Sequence, residues 1–238
     1  LMNTAAALRA GAALVTACLP ESVRAKAAVA YPEAMWRGLA TVRDGTIASS
    51  GAKGIRALAA GQDALLIGSG MGERAAKLIG AVVARAAPAL VLDADALRPS
   101  VVNASQGAQV RVLLPHAGEF KRLSGRDASP AAARAYARRT KSIVALKGPL
   151  TCVTDGVRTL HVPFGGPVLA RGGSGDLLAG IVASVLARRA ELGLGAFDAV
   201  VLATTWHARA ADRLRETHGE EAVRTTDLLA GLSPALRG

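Results

Sequence analysis

The sequence predicts an α/β protein, a three-layer α/β/α sandwich with a mostly parallel central sheet. Four short apolar runs alternate with longer stretches of helical periodicity, as parallel strands joined by crossover helices do. The runs are Ala64–Ile67, Ala89–Leu92, Gln109–Leu114 and Ser142–Leu146. Hydrophobic residues make up 51% of the 238 residues and aromatic residues only 3%, so small side chains should let helices pack closely on the sheet. We expect a single domain over residues 1–238.

The chain ahead of the first run also alternates between helix and strand. Helical spacing predicts helices over Thr4–Ala12, Arg24–Ala30 and Ser50–Ala60. Apolar runs predict short strands over Ala13–Cys18 and Met35–Ala40. No repeat, low-complexity tail or Pro/Ser-rich linker interrupts the chain, which favours one domain.

Two further elements are predicted after the fourth run. The Asp155-Gly156 pair lies between the runs Leu150–Thr154 and Val157–Val162 and is typical of a β-hairpin turn. Farther on, Arg171–Arg189 begins with a glycine-rich turn and continues with apolar residues at helical spacing and almost no polar face. A helix with this pattern should be buried nearly all round.

Composition and charge argue against several classes of protein. The formal net charge is +11, but the Arg and Lys residues are scattered without interleaved aromatic residues, so we expect no nucleic-acid partner. No apolar run is long enough to cross a bilayer and no signal peptide is visible, so we expect no membrane partner and a cytoplasmic location. Cys18 and Cys152 have neither disulfide nor metal-ligand spacing. We expect a homo-oligomer whose positive field attracts an anionic nucleotide.

Each of the four apolar runs ends in a polar or glycine-rich cluster. The clusters are Gly68–Gly72, Asp93–Asp95, Pro115–Glu119 and Lys147-Gly148. In open α/β sheets, ligands bind beyond the carboxyl ends of the strands, so these clusters should converge on one crevice. Four such clusters are harder to produce by accident than any single motif.

The start of the long apolar helix adds a candidate anion site. A glycine turn that leads into a helix gathers free N–H groups and the positive end of the helix dipole, which suits a phosphate group. Asp176 is the only charge at the beginning of this buried helix. Its carboxylate could orient or deprotonate a hydroxyl that attacks the phosphate, or it could only cap the helix, and the motif alone favours neither role.

Other polar residues also leave alternatives open. Gly68–Gly72 is either a simple turn or a place where a ligand approaches the backbone, and the second role is favoured. One of Asp93 and Asp95 could face the site through a metal-bound water, or both could be structural. Lys147 ends a buried strand, where an ammonium group needs a partner such as phosphate. Glu119 either assists Mg²⁺ through water or begins a helix.

The histidines divide into one candidate and three others. His116 follows a strand and is flanked by Pro115 and Gly118, which favours a site loop over a packed core histidine. The remaining histidines share no spacing and are predicted to be structural or surface residues; they are His161, His207 and His218.

Several motifs together resemble one family. They are LVLDADAL at 90–97, LLPHAGEFKRL at 113–123, ALKGPLT at 145–151 and GGSGDLLAGI at 172–181. In this order and spacing they resemble the nucleotide-dependent NAD(P)H-hydrate dehydratases of the ribokinase-like superfamily. The resemblance implies use of ADP or ATP, with Mg²⁺, to dehydrate (S)-NAD(P)H hydrate back to NAD(P)H. His116 within PHAGE resembles the bacterial, ADP-dependent type.

The resemblance also implies roles for the matched residues. Asp176 would be the base that readies the hydroxyl of the hydrate, and the amides of the turn would hold the transferred phosphoryl group; these catalytic residues are Asp176, Gly173, Ser174 and Gly175. The AMP portion of the nucleotide would be bound by Lys147, Gly148, Pro149, Leu150, Thr151 and Gly175. The hydrated coenzyme would be bound by Gly70, His116 and Asp176.

The sequence departs from the family pattern at its N-terminus. Family members begin with an additional strand inside the sheet, ahead of the helix matched by Thr4–Ala12, so we expect this domain to be N-terminally incomplete. Two other functions remain open from the sequence. One is a small-molecule kinase of the same superfamily, acting on a hydroxymethylpyrimidine or thiazole alcohol, and the other is a non-catalytic nucleotide-binding relative.

Overall fold

The computed structural model describes residues 1–85 and 88–235 and contains two sheets. The strands are β1 Thr16–Pro20, β2 Met35–Leu39, β3 Ala64–Ile67, β4 Ala89–Leu92, β5 Arg111–Leu113, β6 Ile143–Leu146, β7 Thr151–Thr154 and β8 Thr159–Val162. The main sheet has the order β3-β4-β5-β6-β7-β8, and the second sheet pairs β1 with β2 in parallel. Strands β3 to β6 are parallel, and β7 and β8 add an antiparallel hairpin. The predicted, mostly parallel sheet is confirmed.

Helices cover both faces of the main sheet. They are α1 Met2–Arg9, α2 Glu21–Ala30, α3 Gly51–Ala59, α4 Ala76–Val83, α5 Pro99–Ala104, α6 Ala117–Ser124, α7 Pro130–Thr140, α8 Ser174–Ala187, α9 Ala196–His218 and α10 Leu228–Ala235. One apolar cluster joins the sheet to α8, α9 and α10, and a second joins its other face to α3 through α7. Because strand side chains alternate between faces, each buried strand contributes to both clusters. In the described residues, no helix combines the length and hydropathy that a membrane span requires.

Helix α8 is as deeply buried as its sequence predicts. Its apolar residues Leu177, Ile181, Val185 and Leu186 are each exposed by 2% or less. Gly180 lets the backbone of α1 approach closely, because a Cβ at this position would clash with the carbonyl oxygen of Asn3. Helix α8 is therefore held between the sheet and α1, with its first residues at the carboxyl edge of the parallel strands.

The boundaries of some N-terminal elements differ from the prediction. The first helix ends at Arg9, and Gly11 has a φ of 90°, a left-handed value that ends helical geometry. The following strand consequently begins at Thr16, later than the predicted Ala13. A cavity of about 640 Å³ lies between the two sheets and is lined by every residue of β1 and of β3.

Candidate active site

The four strand-end clusters converge, and Asp93 is the residue that links them. Asp93 follows β4 and is 3% exposed. The hydroxyl of Ser69, in the glycine-rich loop after β3, donates to Asp93 Oδ2 at 3.1 Å, and Asn3 Nδ2 donates to Ser69 Oγ at 3.1 Å. Gly68 allows this approach, since a Cβ there would collide with the carbonyl of Asp93. The loop after β3 is thus fixed against the end of β4.

Lys147 at the end of β6 completes a charged cluster with two carboxylates. Its Nζ lies 2.9 Å from Asp93 Oδ1 and 3.9 Å from Glu119 Oε2. The side chains of Asp93 and Glu119 are 4% and 10% exposed, so the pairing takes place largely away from water. Sequence reasoning predicted a phosphate partner for Lys147, whereas its nearest partner in the chain is Asp93. Asp93 follows the buried strand β4, which is separated from β6 by β5.

His116 and Glu119 form a capping box at the start of α6. The Nδ1 atom of His116 accepts the amides of Gly118 and Glu119 at 3.1 and 3.3 Å, and Glu119 Oε2 accepts the His116 amide at 2.8 Å. Since Nδ1 is an acceptor, the proton of a neutral ring is on Nε2, which lies 3.5 Å from Glu119 Oε1. The His116 ring is mostly exposed and can contact a ligand. Glu119 begins the helix, one of its two predicted roles.

The start of α8 presents backbone amides to the same region. Gly173 precedes the helix with a left-handed φ of 86°. The Ser174 amide donates to the Arg171 carbonyl at 3.2 Å. One of the three amides that were expected to bind the phosphoryl group is therefore already hydrogen-bonded. The amides of Gly173, Gly175 and Asp176 have no acceptor within the described residues. Free N–H groups at the positive end of a helix dipole are of the kind that bind anions.

Lys147 connects this helix start to the strand ends. A Cβ on Gly175 would lie 3.2 Å from Lys147 Nζ, so the ammonium group rests directly on the first turn of α8. Asp176 is the next residue and is partly buried. Among the described residues, its carboxylate accepts no hydrogen bond and forms no ion pair, and α8 has no side-chain cap. The alternative in which Asp176 only caps the helix is therefore not what the geometry shows.

The other predicted site residues lie at the same edge. The loop between β6 and β7 is exposed at Gly148, Pro149 and Leu150, while the Thr151 hydroxyl donates to the Gly148 carbonyl at 3.3 Å. Gly70 is exposed in the loop after β3, with open space where a Cβ would stand. Asp95, by contrast, accepts the Gly72 amide at 2.8 Å and so holds that loop.

C-terminal residues that carry no motif hold the glycine turn in place. The Thr225 hydroxyl donates to the Gly172 carbonyl at 2.9 Å. The Arg171 guanidinium donates to the carbonyl oxygens of Glu220 and Val223. A Cβ on Gly173 would lie 2.6 Å from Met2 Cε, so α1 also presses on the turn. Sequence reasoning missed these contacts because each is long-range and involves an ordinary surface residue type.

His207 on α9 was also missed as a neighbour of the site. It is 3% exposed, and its Nε2 lies 3.4 Å from the hydroxyl of Ser174, which is equally buried. Burial lowers the pKa of His207 to about 4, with a further contribution from the positive charge of Lys147. The sequence left open whether His207 is a structural or a surface residue, and it gave no sign of the contact with the glycine turn.

The layered architecture, with a glycine-led helix at the ends of parallel strands, defines the class as a ribokinase-like α/β fold. A crystal structure of ADP/ATP-dependent NAD(P)H-hydrate dehydratase from Bacillus subtilis, co-crystallised with ATP and Mg²⁺, superposes with a TM-score of 0.79. That match has 22% identity and covers 99% of this chain and 83% of the other. A family model described as NAD(P)H-hydrate dehydratase matches residues 1–233. The chain belongs to the NAD(P)H-hydrate dehydratase family, in agreement with the resemblance found in the sequence.

Two curated relatives support the same assignment. An ADP-dependent (S)-NAD(P)H-hydrate dehydratase from Xanthomonas campestris is 38% identical over 226 residues, covering 90% of this chain and 75% of the relative. A bifunctional NAD(P)H-hydrate repair enzyme from Gloeobacter violaceus is 35% identical over 233 residues, covering 95% of this chain and 44% of the relative. The chain thus spans less than half the length of the bifunctional relative.

Proposed function

We propose that the protein dehydrates (S)-NAD(P)H hydrate to NAD(P)H and uses ADP as the phosphoryl donor, releasing AMP and phosphate. Family membership supports the reaction class, and the relative from Xanthomonas campestris supports ADP as the donor. The observation that carries the proposal is the Asp176 carboxylate, which has no partner in the described chain. Asp176 lies beside helix amides that have no acceptor, and it directly follows Gly175, the residue that the Lys147 ammonium contacts.

The chain's own groups account for the phosphoryl transfer. Asp176 accepts the proton of the hydrate's hydroxyl as that oxygen attacks the β-phosphorus of ADP, and the bond to AMP breaks. The amides of Gly175 and Asp176 bind the negative oxygens of the transferred group, and Lys147 adds positive charge beside them. Phosphate then leaves the substrate carbon, and loss of a proton from the adjoining carbon restores the double bond of the dihydronicotinamide ring.

The carboxylates near the crevice fit a Mg²⁺ ion bound mainly by phosphates. In the described residues, no group of three or more His, Cys, Asp and Glu side chains could hold a metal by itself. Mg²⁺ commonly uses only one or two carboxylates together with substrate phosphates and water. Glu119 Oε1 is not committed to a backbone amide, so Glu119 would hold the waters of the ion. Bound Mg²⁺ would neutralise charge on the phosphates.

The exposed loop Lys147–Thr151 supports a nucleotide position beside the phosphate site. Its backbone lies next to Pro115 and His116, because the Lys147 amide donates to the Pro115 carbonyl at 2.8 Å. The nucleotide would occupy the side of the crevice formed by this loop. The exposed His116 ring, next to this loop, and Gly70, after β3, would contact the hydrated coenzyme.

The test is recovery of NADH absorbance from (S)-NADH hydrate in the presence of ADP and Mg²⁺. We expect recovery to require the nucleotide and to produce AMP and phosphate in equal amounts. Omission of ADP, and substitution by ATP, are run in parallel to identify the donor. A phosphorylated pyrimidine or thiazole alcohol, formed without any coenzyme recovery, would replace this proposal with a small-molecule kinase. Nucleotide binding with no turnover would indicate a non-catalytic relative.

We propose a cytoplasmic homo-oligomer with no nucleic-acid partner. Light scattering after gel filtration measures the oligomeric state. A monomer at micromolar concentration, or retention on nucleic acid at physiological salt, would contradict it.

A further inference from the structure

A buried histidine and a buried serine meet behind the phosphate position. His207 lies on α9, and Ser174 is the first residue of α8. Each is 3% exposed, and the Nε2 to Oγ separation of 3.4 Å is at the long end of a hydrogen bond. Buried polar groups in proteins are normally paired, and this contact is the one through which the His207 ring meets the glycine turn.

Ser174 is placed to set the direction of the neighbouring amides. Its own amide donates backwards to the Arg171 carbonyl, and its hydroxyl faces His207. The next two amides, of Gly175 and Asp176, point away from the helix without an acceptor in the described chain. Because Ser174 is fixed at both its backbone and its side chain, a change in its position would move both amides and the Asp176 carboxylate together.

We propose that His207 is a positioning residue, which holds the first turn of α8 through the Ser174 hydroxyl in the orientation that phosphoryl transfer requires. This inference rests on the proposed function for its catalytic consequence. Its structural basis is independent, since the contact is between two residues of this chain. A neutral ring suits the role, because a charged ring would be close to the Lys147 ammonium and would repel it.

The kinetic test compares four variants. His207→Leu removes both ring nitrogens, Ser174→Ala removes the hydroxyl, and the double variant removes both. His207→Gln keeps an amide near the position of Nε2. The matched control is Thr204→Val, one turn earlier on α9, whose equally buried hydroxyl donates only to the Val200 carbonyl in its own helix.

We expect kcat to fall by roughly 10- to 100-fold in both His207→Leu and Ser174→Ala, since small misplacements of catalytic groups are costly. The KM for ADP should change by less than about threefold, and the double variant should be no slower than the slower single variant. His207→Gln should regain most of the lost rate, and Thr204→Val should keep the wild-type kcat. A His207→Leu protein with reduced thermal stability but wild-type kcat, or additive losses in the double variant, would overturn the proposal.

Two further measurements separate failure of this inference from failure of the proposed function. The nitrogen NMR shifts of the His207 ring should change in Ser174→Ala without any substrate, and they should be unaltered in Thr204→Val. Inorganic phosphate in the presence of AMP should bind more weakly to His207→Leu than to Thr204→Val. If the wild-type protein does not dehydrate the hydrate, the NMR shifts and the phosphate affinity still test whether His207 positions the first turn of α8. Unchanged ring shifts together with unchanged phosphate affinity would then overturn the inference.

Discussion

The ammonium group of Lys147 is held 2.9 Å from Asp93 Oδ1, although the two residues follow different strands and are 54 positions apart. Both side chains are largely buried, and Glu119 is a second, more distant carboxylate at 3.9 Å. Breaking a buried ion pair by removing one partner leaves an uncompensated charge, which costs more than the intact pair contributes. The pair therefore ties the end of β4 to the end of β6 across the intervening β5.

Asp93→Asn should lower the free energy of unfolding by about 3 kcal/mol, since it leaves Lys147 without its nearest counter-charge. It also removes a carboxylate that accepts from Ser69, which should loosen the loop after β3. Urea unfolding measures the change. Asp95→Asn is the matched control, because Asp95 is more exposed and accepts only the Gly72 amide. An equal decrease in the free energy of unfolding in the two variants would show that the ion pair between Asp93 and Lys147 does not contribute more to stability than the Asp95 hydrogen bond.

Asp176→Asn should reduce kcat for hydrate dehydration by about 10²- to 10⁴-fold, the range expected on removal of a general base. Its affinity for ADP should remain close to that of the wild type, because the helix amides and the loop Lys147–Thr151 are unchanged. Steady-state kinetics and calorimetric titration with ADP give the two quantities. An active Asn variant would exclude the proposed role of the carboxylate.

Gly175→Ala should reduce turnover by displacing the Lys147 ammonium, which lies 3.2 Å from the added methyl group. The stability cost should be small, since Ala is otherwise a better helix residue than Gly by about 1 kcal/mol. Gly80→Ala in α4 is the control, because nothing lies within 4 Å of its added methyl group and Gly80 is not among the residues assigned to the site. That variant should be slightly stabilised and fully active. Comparable kcat values in the two Ala variants would contradict the proposed placement of Lys147.

Acid should destabilise the protein through His207. The folded pKa of about 4 is below the ordinary value of 6.5, so the unfolded chain binds a proton first and stability falls as pH decreases from about 6.5 to about 4. The loss from this residue should approach about 3 kcal/mol at the acidic end. The measurement is urea unfolding of wild type and His207→Leu at neutral and mildly acidic pH. If the free energy of unfolding falls as steeply with decreasing pH in His207→Leu as in the wild type, His207 is not the cause of the acid destabilisation.

The main sheet was predictable because its strands are short apolar runs between helical stretches. The runs Ala64–Ile67 and Ala89–Leu92 coincide with β3 and β4, and the Asp155-Gly156 pair does join an antiparallel hairpin. The N-terminal boundaries were less accurate, because Ala-rich residues do not by themselves end a helix. The left-handed Gly11 ends it earlier than the periodicity indicated.

The candidate site was predictable only where local motifs mark it. The convergence of the strand ends followed from the rule for parallel sheets, and the helix start followed from its glycine turn. The contact between His207 and Ser174 spans 33 positions, and nothing in the sequence around His207 distinguishes it from a core histidine. The pairing of Asp93 with Lys147 likewise depends on the strand order, in which β4 and β6 lie on either side of β5, and the sequence does not state that order.

The division of the sheet has a consequence for amide hydrogen exchange. Within the described residues, the backbone pairing of Thr16–Pro20 is with β2 alone, whereas Ala89–Leu92 is paired on both sides in the middle of a continuous ladder. Opening the β1 and β2 pair breaks no hydrogen bond of the larger sheet, so it should cost less than global unfolding. Amides of β1 should accordingly exchange with deuterium well before those of β4, and any molecule that seals the cavity between the sheets should slow them selectively.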